Sequence, residues 1–135
     1  RKTDLKNNEF IKEIKIPIHK KHILKCYKIS KRFDDDISSV FVAFLLSLKN
    51  NIIIDLNIAF GGMASIPKFA FKTQKFLIGK KFNKNNIYKS KDFIEKDFNP
   101  LSDMRASEKY RKLVSKNLLE KFFLEIQNNQ KNLIE

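Results

Sequence analysis

Up to about residue 60 apolar and polar positions alternate in short runs, whereas further along the apolar positions recur at helical spacing. A period of two places alternate side chains on the two faces of a strand, and a period near 3.6 places them on one face of a helix. Phe10, Ile14, Ile16 and Ile18 alternate with Lys12, Glu13, Lys15 and Pro17, predicting a half-buried first strand. Pro17 falls near its end, where a missing N–H is tolerated. Ile23 to Ser30 predicts a second strand, after a loop around His19 and His22. The next stretch carries both periods: Ile37, Val40, Phe41, Phe44, Leu45 and Leu48 fit a helical stripe that Asp36 would cap, and the same run reads as strand. Strand is favoured, because Lys49, Asn50 and Asn51 make a hairpin-like turn. Ile52, Ile54, Leu56, Ile58 and Phe60 then alternate with Asp55 and Asn57 as a fourth strand.

Gly61 and Gly62 end that strand. Pro67, with its fixed φ, is expected to open a helix whose apolar face is Phe69, Phe76 and Leu77 and which Gly79 terminates. A second helix is expected from Ile87 to Phe98. The third has the clearest signature: Ser107 as cap, Glu108 at the positive end, and Tyr110, Leu113, Val114, Leu118, Phe122 and Ile126 at helical spacing. The polar segment 127–135 is expected to fray. Strands followed by helices predict an α+β fold of two layers, an antiparallel sheet of about four strands with helices packed on it, the longest at the C-terminus.

Composition narrows the function classes. The 135 residues suit one domain, and 42% hydrophobic residues, 13 Phe among them, supply a core. No run reaches the roughly 18 apolar residues of a membrane span, so a soluble protein is expected. The chain opens on Arg1 with no charged-then-apolar leader, which reads as a fragment or a processed piece. Cys26 is the single cysteine, fitting a reducing cytoplasm and excluding a thiolate metal cage built by this chain alone. The formal charge of +13 invites a nucleic-acid reading. All but four of the 28 basic residues are lysine, however, spread among Asn, Ile and Phe, residue types that share A/T-rich codons. Codon bias explains the basicity without an acidic partner, so nucleic-acid binding is not favoured. The same bias singles out Arg32, Arg105 and Arg111, because a guanidinium's planar fork cannot be replaced by an ammonium.

Three stretches, YKISKRFDDDIS, IAFGGMA and PLSDMRASEKYR, resemble in order and spacing the C-terminal portion of the flavin-binding subunit or domain of xanthine dehydrogenase and its relatives among the molybdenum hydroxylases. In such enzymes this portion is the CO dehydrogenase flavoprotein C-terminal-like domain. The resemblance runs from about Glu9 to Ile126, dividing the chain into a remnant of the upstream flavin segment (1–8), the domain proper (9–126) and a polar tail (127–135). It implies an oxidoreductase in which purine is oxidised at a molybdenum cofactor on another subunit, electrons pass through two iron–sulfur clusters, and FAD delivers hydride to NAD. The implied partners are the upstream FAD-binding half, the iron–sulfur domain and the molybdenum-cofactor subunit, with no membrane.

The resemblance also implies the site. Lys28 would lie near a flavin carbonyl, where a cation stabilises the charge of the reduced ring. Arg32, Asp34, Asp35 and Asp36 would form a charged loop beside the nicotinamide approach, Asp35 matching the flavin-proximal acid of the family. By itself a run of three aspartates is ordinarily a solvated turn or a cap. Gly61 and Gly62 are read as structural. Ile66 stands where the family commonly has Thr before the helix-opening proline, so the side-chain cap is lost unless Ser65 supplies it. Asp103, Arg105 and Arg111 are read as fixing the last helix rather than docking a subunit. His19 and His22 lack a third ligand for a metal, and Cys26 reads as a small strand hydrophobe. FAD's pyrophosphate needs a loop of converging backbone amides, and three glycines supply none. The chain is therefore expected to form one wall of the flavin site and to be inactive alone. The alternative is a basic binding or assembly module of the same fold with no redox role, for a nucleic-acid or protein partner.

Overall fold

The computed structural model describes residues 4–16, 22–33 and 36–131. A four-stranded antiparallel sheet, β1 (Ile23–Ile29), β2 (Val40–Lys49), β3 (Ile52–Gly61) and β4 (Lys68–Phe69), lies in chain order. Three helices follow, α1 (Phe71–Leu77), α2 (Lys84–Asp97) and α3 (Glu108–Lys131). The fold is α+β, with the helices on one face of the sheet. The stretch with two readings is strand: Val40, Val42, Phe44 and Leu46 point inward and are fully buried, and Asn50 (φ 51°) and Asn51 (φ 59°) take the left-handed conformation of a two-residue hairpin turn. Asp36 consequently caps no helix.

The inward faces of β2 and β3 meet α3 and α2 through aromatic rings. Phe44 stacks on Phe122 with centroids 4.4 Å apart and planes 8° from parallel, Phe82 meets Phe122 edge-on at 6.2 Å, and Phe60 meets Phe98 at 5.3 Å. Ser107 caps α3, its hydroxyl accepting from the Tyr110 N–H at 3.2 Å, and Asn83 caps α2 by accepting from the Asn86 N–H at 2.9 Å. Gly79, at φ 81°, follows the last turn of α1. Leu118, Phe122 and Ile126 are buried as expected, whereas Tyr110 and Leu113 are exposed. The helix continues to Lys131, through the first part of the segment expected to fray.

Two further expectations are corrected. Residues 10–16 form no strand, and Phe10, Ile14 and Ile16 are about 80% exposed (81%, 78% and 79%); Pro17 and Ile18 lie outside the described residues. The sheet reaches four strands through β4 instead. Pro67 does not open a helix: Lys68 and Phe69 pair with Phe60 and Ala59, which leaves Phe69 44% exposed and outside the core, and the Ala70 N–H bonds the Ile58 carbonyl. The helix starts only at Phe71, where neither Ser65 nor its neighbours cap it. Asp97, the last residue of α2, does so from across the fold, its carboxylate accepting from the N–H groups of Lys72 (2.8 Å) and Thr73 (2.9 Å) and from the Thr73 hydroxyl (2.7 Å).

Candidate functional site: the end of β1 and its charged loop

The strand period of β1 turns Ile23, Lys25, Tyr27 and Ile29 toward the helices and Leu24, Cys26 and Lys28 to the opposite face. That face carries no helix. Lys28 lies there, exposed and directly across from Phe41, in the same layer as Ala43, Leu45, Asn57 and Ala59. Leu24, Ala43, Leu45, Asn57, Ala59 and Phe69 line a shallow apolar concavity of about 390 Å³ on it. Cys26 is free and exposed on this surface rather than packed in the core.

Past Ile29 the chain leaves the sheet and returns at Ser39, whose N–H bonds the Ile29 carbonyl at 2.7 Å. The loop between is held by its own acid. The Asp36 carboxylate accepts from the N–H groups of Arg32 (3.2 Å) and Ile37 (2.8 Å), and the Arg32 guanidinium lies 3.8 Å away. The Arg32 N–H, helped by the Ile37 N–H and the guanidinium charge, keeps the Asp36 carboxyl below the usual carboxylate value of 3.8. Asp36 is thus an ionised brace of the loop. Arg32 itself remains 76% exposed and Phe33 fully so. Asp34 and Asp35 lie outside the described residues.

A second loop, 101–107, closes one side. The Lys31 ammonium donates to the Met104 carbonyl at 2.6 Å and the Ser39 hydroxyl to the Arg105 carbonyl at 3.3 Å. Lys31, Arg32, Asp36, Ser39, Met104 and Arg105 line a cleft of about 520 Å³, and Lys28, Arg32 and Phe33 line an adjoining one of about 460 Å³. Lys28 and Arg32, chosen from sequence, therefore share one end of the sheet. Lys31, Ser39 and Met104 were missed: each lies in or beside a quoted motif, but their joint position depends on two loops meeting across the fold.

The clamp that joins those loops is Arg111. Its guanidinium is almost entirely buried and donates to the Ser39 carbonyl, to the Gly62 carbonyl at 2.9 Å and to the Asp103 carboxylate at 2.6 Å. Gly62 is at φ 80°, and a Cβ there would collide with the Ser39 carbonyl and come within 3.0 Å of the Arg111 fork. Gly62 is structural, as expected, and Arg111 fixes the fold rather than a surface contact. Arg105 is more open, 3.8 Å from Asp103, and faces the cleft. His22 lies 3.5 Å from Asp55, while His19 is outside the described residues. No group of three or more potential metal ligands converges among the described residues.

The fold is shared with known proteins. The quinoline 2-oxidoreductase of Pseudomonas putida 86 superposes with a TM-score of 0.71 at 22% identity, over 82% of this chain and 38% of that one. In sequence the chain is 32% identical over 124 residues to the glyceraldehyde dehydrogenase medium chain of Sulfolobus acidocaldarius, and 30% identical over 138 residues to xanthine dehydrogenase 1 of Arabidopsis thaliana. It spans 44% of the first relative and 10% of the second, while 92% and 98% of this chain are matched. The family match starts later than the resemblance read from the motifs, at residue 25 rather than at about Glu9, and ends at the same place. With residues 25–126 matching throughout, the chain belongs to the CO dehydrogenase flavoprotein C-terminal domain family.

Proposed function

We propose that this chain is one wall of the FAD site in a xanthine dehydrogenase-type molybdenum hydroxylase, at the end where electrons taken from a purine leave for NAD. The observation that carries the reading is the position of Lys28. Within the family-matched region, a lysine stands on the helix-free face of the sheet, across from Phe41 and in the layer of the small Ala43 and Ala59, and lines a cleft with Arg32 and Phe33. A flat apolar surface edged by a cation suits a planar ring that gains negative charge. The residues fit that part of the cofactor only. Gly61, Gly62 and Gly79 serve a strand end and a helix end, so the pyrophosphate would be held by the rest of the flavoprotein, with the iron–sulfur clusters and molybdenum cofactor elsewhere in the complex.

FAD, when bound, supplies the passage of an electron pair from the iron–sulfur side to NAD. Lys28 holds positive charge at the ring edge and thereby favours the reduced state. Arg32, braced on Asp36 and largely exposed, offers a cation at the cleft mouth to the anionic dinucleotide, and Asp34 and Asp35 are assigned to shaping the nicotinamide approach. Residues 1–8 belong to the upstream flavin segment and residues 9–126 to the domain itself, and the enzyme works in the cytoplasm.

Replacing Lys28 with Met in the assembled enzyme tests this. Purine oxidation measured with an artificial acceptor that draws electrons ahead of the flavin is expected to stay near the parent rate, and NAD reduction to fall about tenfold, the loss of roughly 1.4 kcal/mol of charge stabilisation. Asp35→Asn is expected to act on NAD affinity or rate instead. Equal loss of both activities at unchanged FAD content sinks the assignment. A colourless complex, together with steeply salt-dependent DNA binding by the chain, gives the binding-module reading instead.

A further inference from the structure

The outer surfaces of α1 and α2 meet through two rings. Phe76 stacks on Phe93 with centroids 4.4 Å apart and planes 22° from parallel, and both residues are half-buried rather than enclosed. They form the apolar part of a cleft of about 460 Å³ whose remaining lining is Lys72, Lys75 and Lys96. Two ammonium groups sit over the ring faces, that of Lys80 3.2 Å from the Phe76 centroid and that of Lys96 4.9 Å from the Phe93 centroid. Lys72 donates to the Lys96 carbonyl at 2.7 Å and so ties the two helices together beside the rings.

No carboxylate lines this cleft. Asp97, one residue beyond Lys96, turns its carboxylate onto the start of α1, and Glu95 is taken by Lys116 of α3. Lysines between α2 and α3 thus meet acids of the protein itself, Lys91 with Glu120 and Lys116 with Glu95, whereas Lys75, Lys80 and Lys96 have no ion pair among the described residues. A lysine-rich composition accounts for cations scattered over a surface. It does not account for a pair of rings left half-open beneath cations that no acid neutralises. Ammonium groups seated on rings are already placed for a carboxylate, and the open ring area gains from being covered. The shape narrows the occupant further. A bilayer takes up apolar side chains that project from a helix face, and a duplex needs cations that track its phosphates, whereas here the rings form the floor of a cleft confined to two helices. An apolar side chain flanked by carboxylates matches both floor and rim.

We propose that this cleft docks a partner polypeptide through an acidic segment carrying one aromatic or large aliphatic side chain. The anchor settles on Phe76 and Phe93, and carboxylates on either side of it pair with Lys75, Lys80 and Lys96. The cleft shares no residue with those that Lys28, Arg32 and Arg105 line, so the docking neither rests on the flavoprotein reading nor obstructs it.

Fluorescence anisotropy with a labelled peptide of aspartates and glutamates around a single phenylalanine tests it, and amide NMR of the chain locates the contact. The peptide is expected to shift the amides of α1 and α2 around Phe76 and Phe93, and to bind at least about tenfold more weakly once its phenylalanine is replaced by serine. The double variant Lys75→Gln, Lys96→Gln is expected to melt as the parent does, because both side chains are exposed, and to lose at least about tenfold in affinity. The control Lys49→Gln, Lys109→Gln, at two lysines exposed elsewhere, is expected to stay within about twofold of the parent. Equal losses from the two pairs reduce the binding to net charge and overturn the proposal. Amide shifts confined to the clefts beside Lys28 and Arg32 overturn it as well, and so does an acidic peptide that does not bind. Vesicles of phosphatidylserine and phosphatidylcholine and a short DNA duplex are run alongside. Binding to either that Lys75→Gln, Lys96→Gln abolishes, with none to the peptide, names a membrane or a nucleic acid as the occupant instead.

Discussion

Gly62 shows how one residue holds two loops in register. Its φ of 80° and the approach of the Ser39 carbonyl leave no place for a Cβ, and its own carbonyl accepts from Arg111. Gly62→Ala is expected to cost about 3 kcal/mol, combining left-handed strain with displacement of the clamp. A loss below about 0.5 kcal/mol in urea unfolding would show that Ser39 gives way freely. Asp103 closes the same clamp from the other side. The N–H groups of Arg105 and then Ala106, with Arg111 adding its charge, hold its carboxyl below the ordinary 3.8. A carboxylate depressed in the folded state contributes stability that is complete above its unfolded value and is lost as pH falls through the folded one. The parent is therefore expected to lose this contribution below about pH 4, and Asp103→Asn to flatten that limb of a melting-temperature profile run from about pH 6 to about pH 2.5. An unchanged acid limb in the variant would remove Asp103 from the clamp. From sequence the arginine was legible because lysine dominates the other basic positions; its two carbonyl partners were not, since a backbone acceptor carries no sequence mark.

Among the elements, α3 depends most on what it faces. Phe122 is 1% exposed and lies flat on Phe44 of β2, with Phe82 against its edge. Phe122→Ala is expected to destabilise the domain by about 3–5 kcal/mol, since the stacked rings and the edge contact leave little room for collapse into the vacated space. Equal thermal stability of variant and parent would contradict this packing. The start of α1 teaches a different lesson. Pro67 and Ser65 carry a helix-opening signature, but Lys68 and Phe69 join the sheet and Asp97 caps the helix four residues further on. An edge-strand position also tolerates proline, so the local signal was compatible with both outcomes, and the cap came from 24 residues away.

The positive charge of the whole molecule is dispersed over many partners. Lys31, Lys68 and Lys72 donate to backbone carbonyls, and Lys91, Lys112, Lys116 and Lys121 meet Glu120, Glu108, Glu95 and Glu125. Each of these ammonium groups is engaged with an acceptor of the protein itself. No helix among the described residues is long and apolar enough to cross a membrane. The molecule instead presents one apolar, lysine-edged sheet face and one strand-like segment, both uncovered. The Lys28→Met experiment addresses the sheet face through electron exit.

By itself the sequence determined the elements whose signals are local. The alternation of β1 to β3, the Asn50-Asn51 hairpin, the cap at Ser107 and the stop at Gly79 each depend on a few consecutive residues and on backbone preferences that neighbours reinforce. The motif order likewise made the family legible, along with Lys28 and Arg32 at one end of the sheet. Only the tertiary structure decided the rest. It set which alternating runs became strands, because Phe10–Ile16 has the period of a strand but pairs with no described strand, whereas Lys68–Phe69 has almost no period and pairs because β3 lies alongside. It also brought Ser39, Gly62, Asp103 and Arg111 together from four separate stretches of chain, since burying a guanidinium requires several converging oxygen acceptors, and their convergence depends on the completed fold rather than on any one stretch of residues.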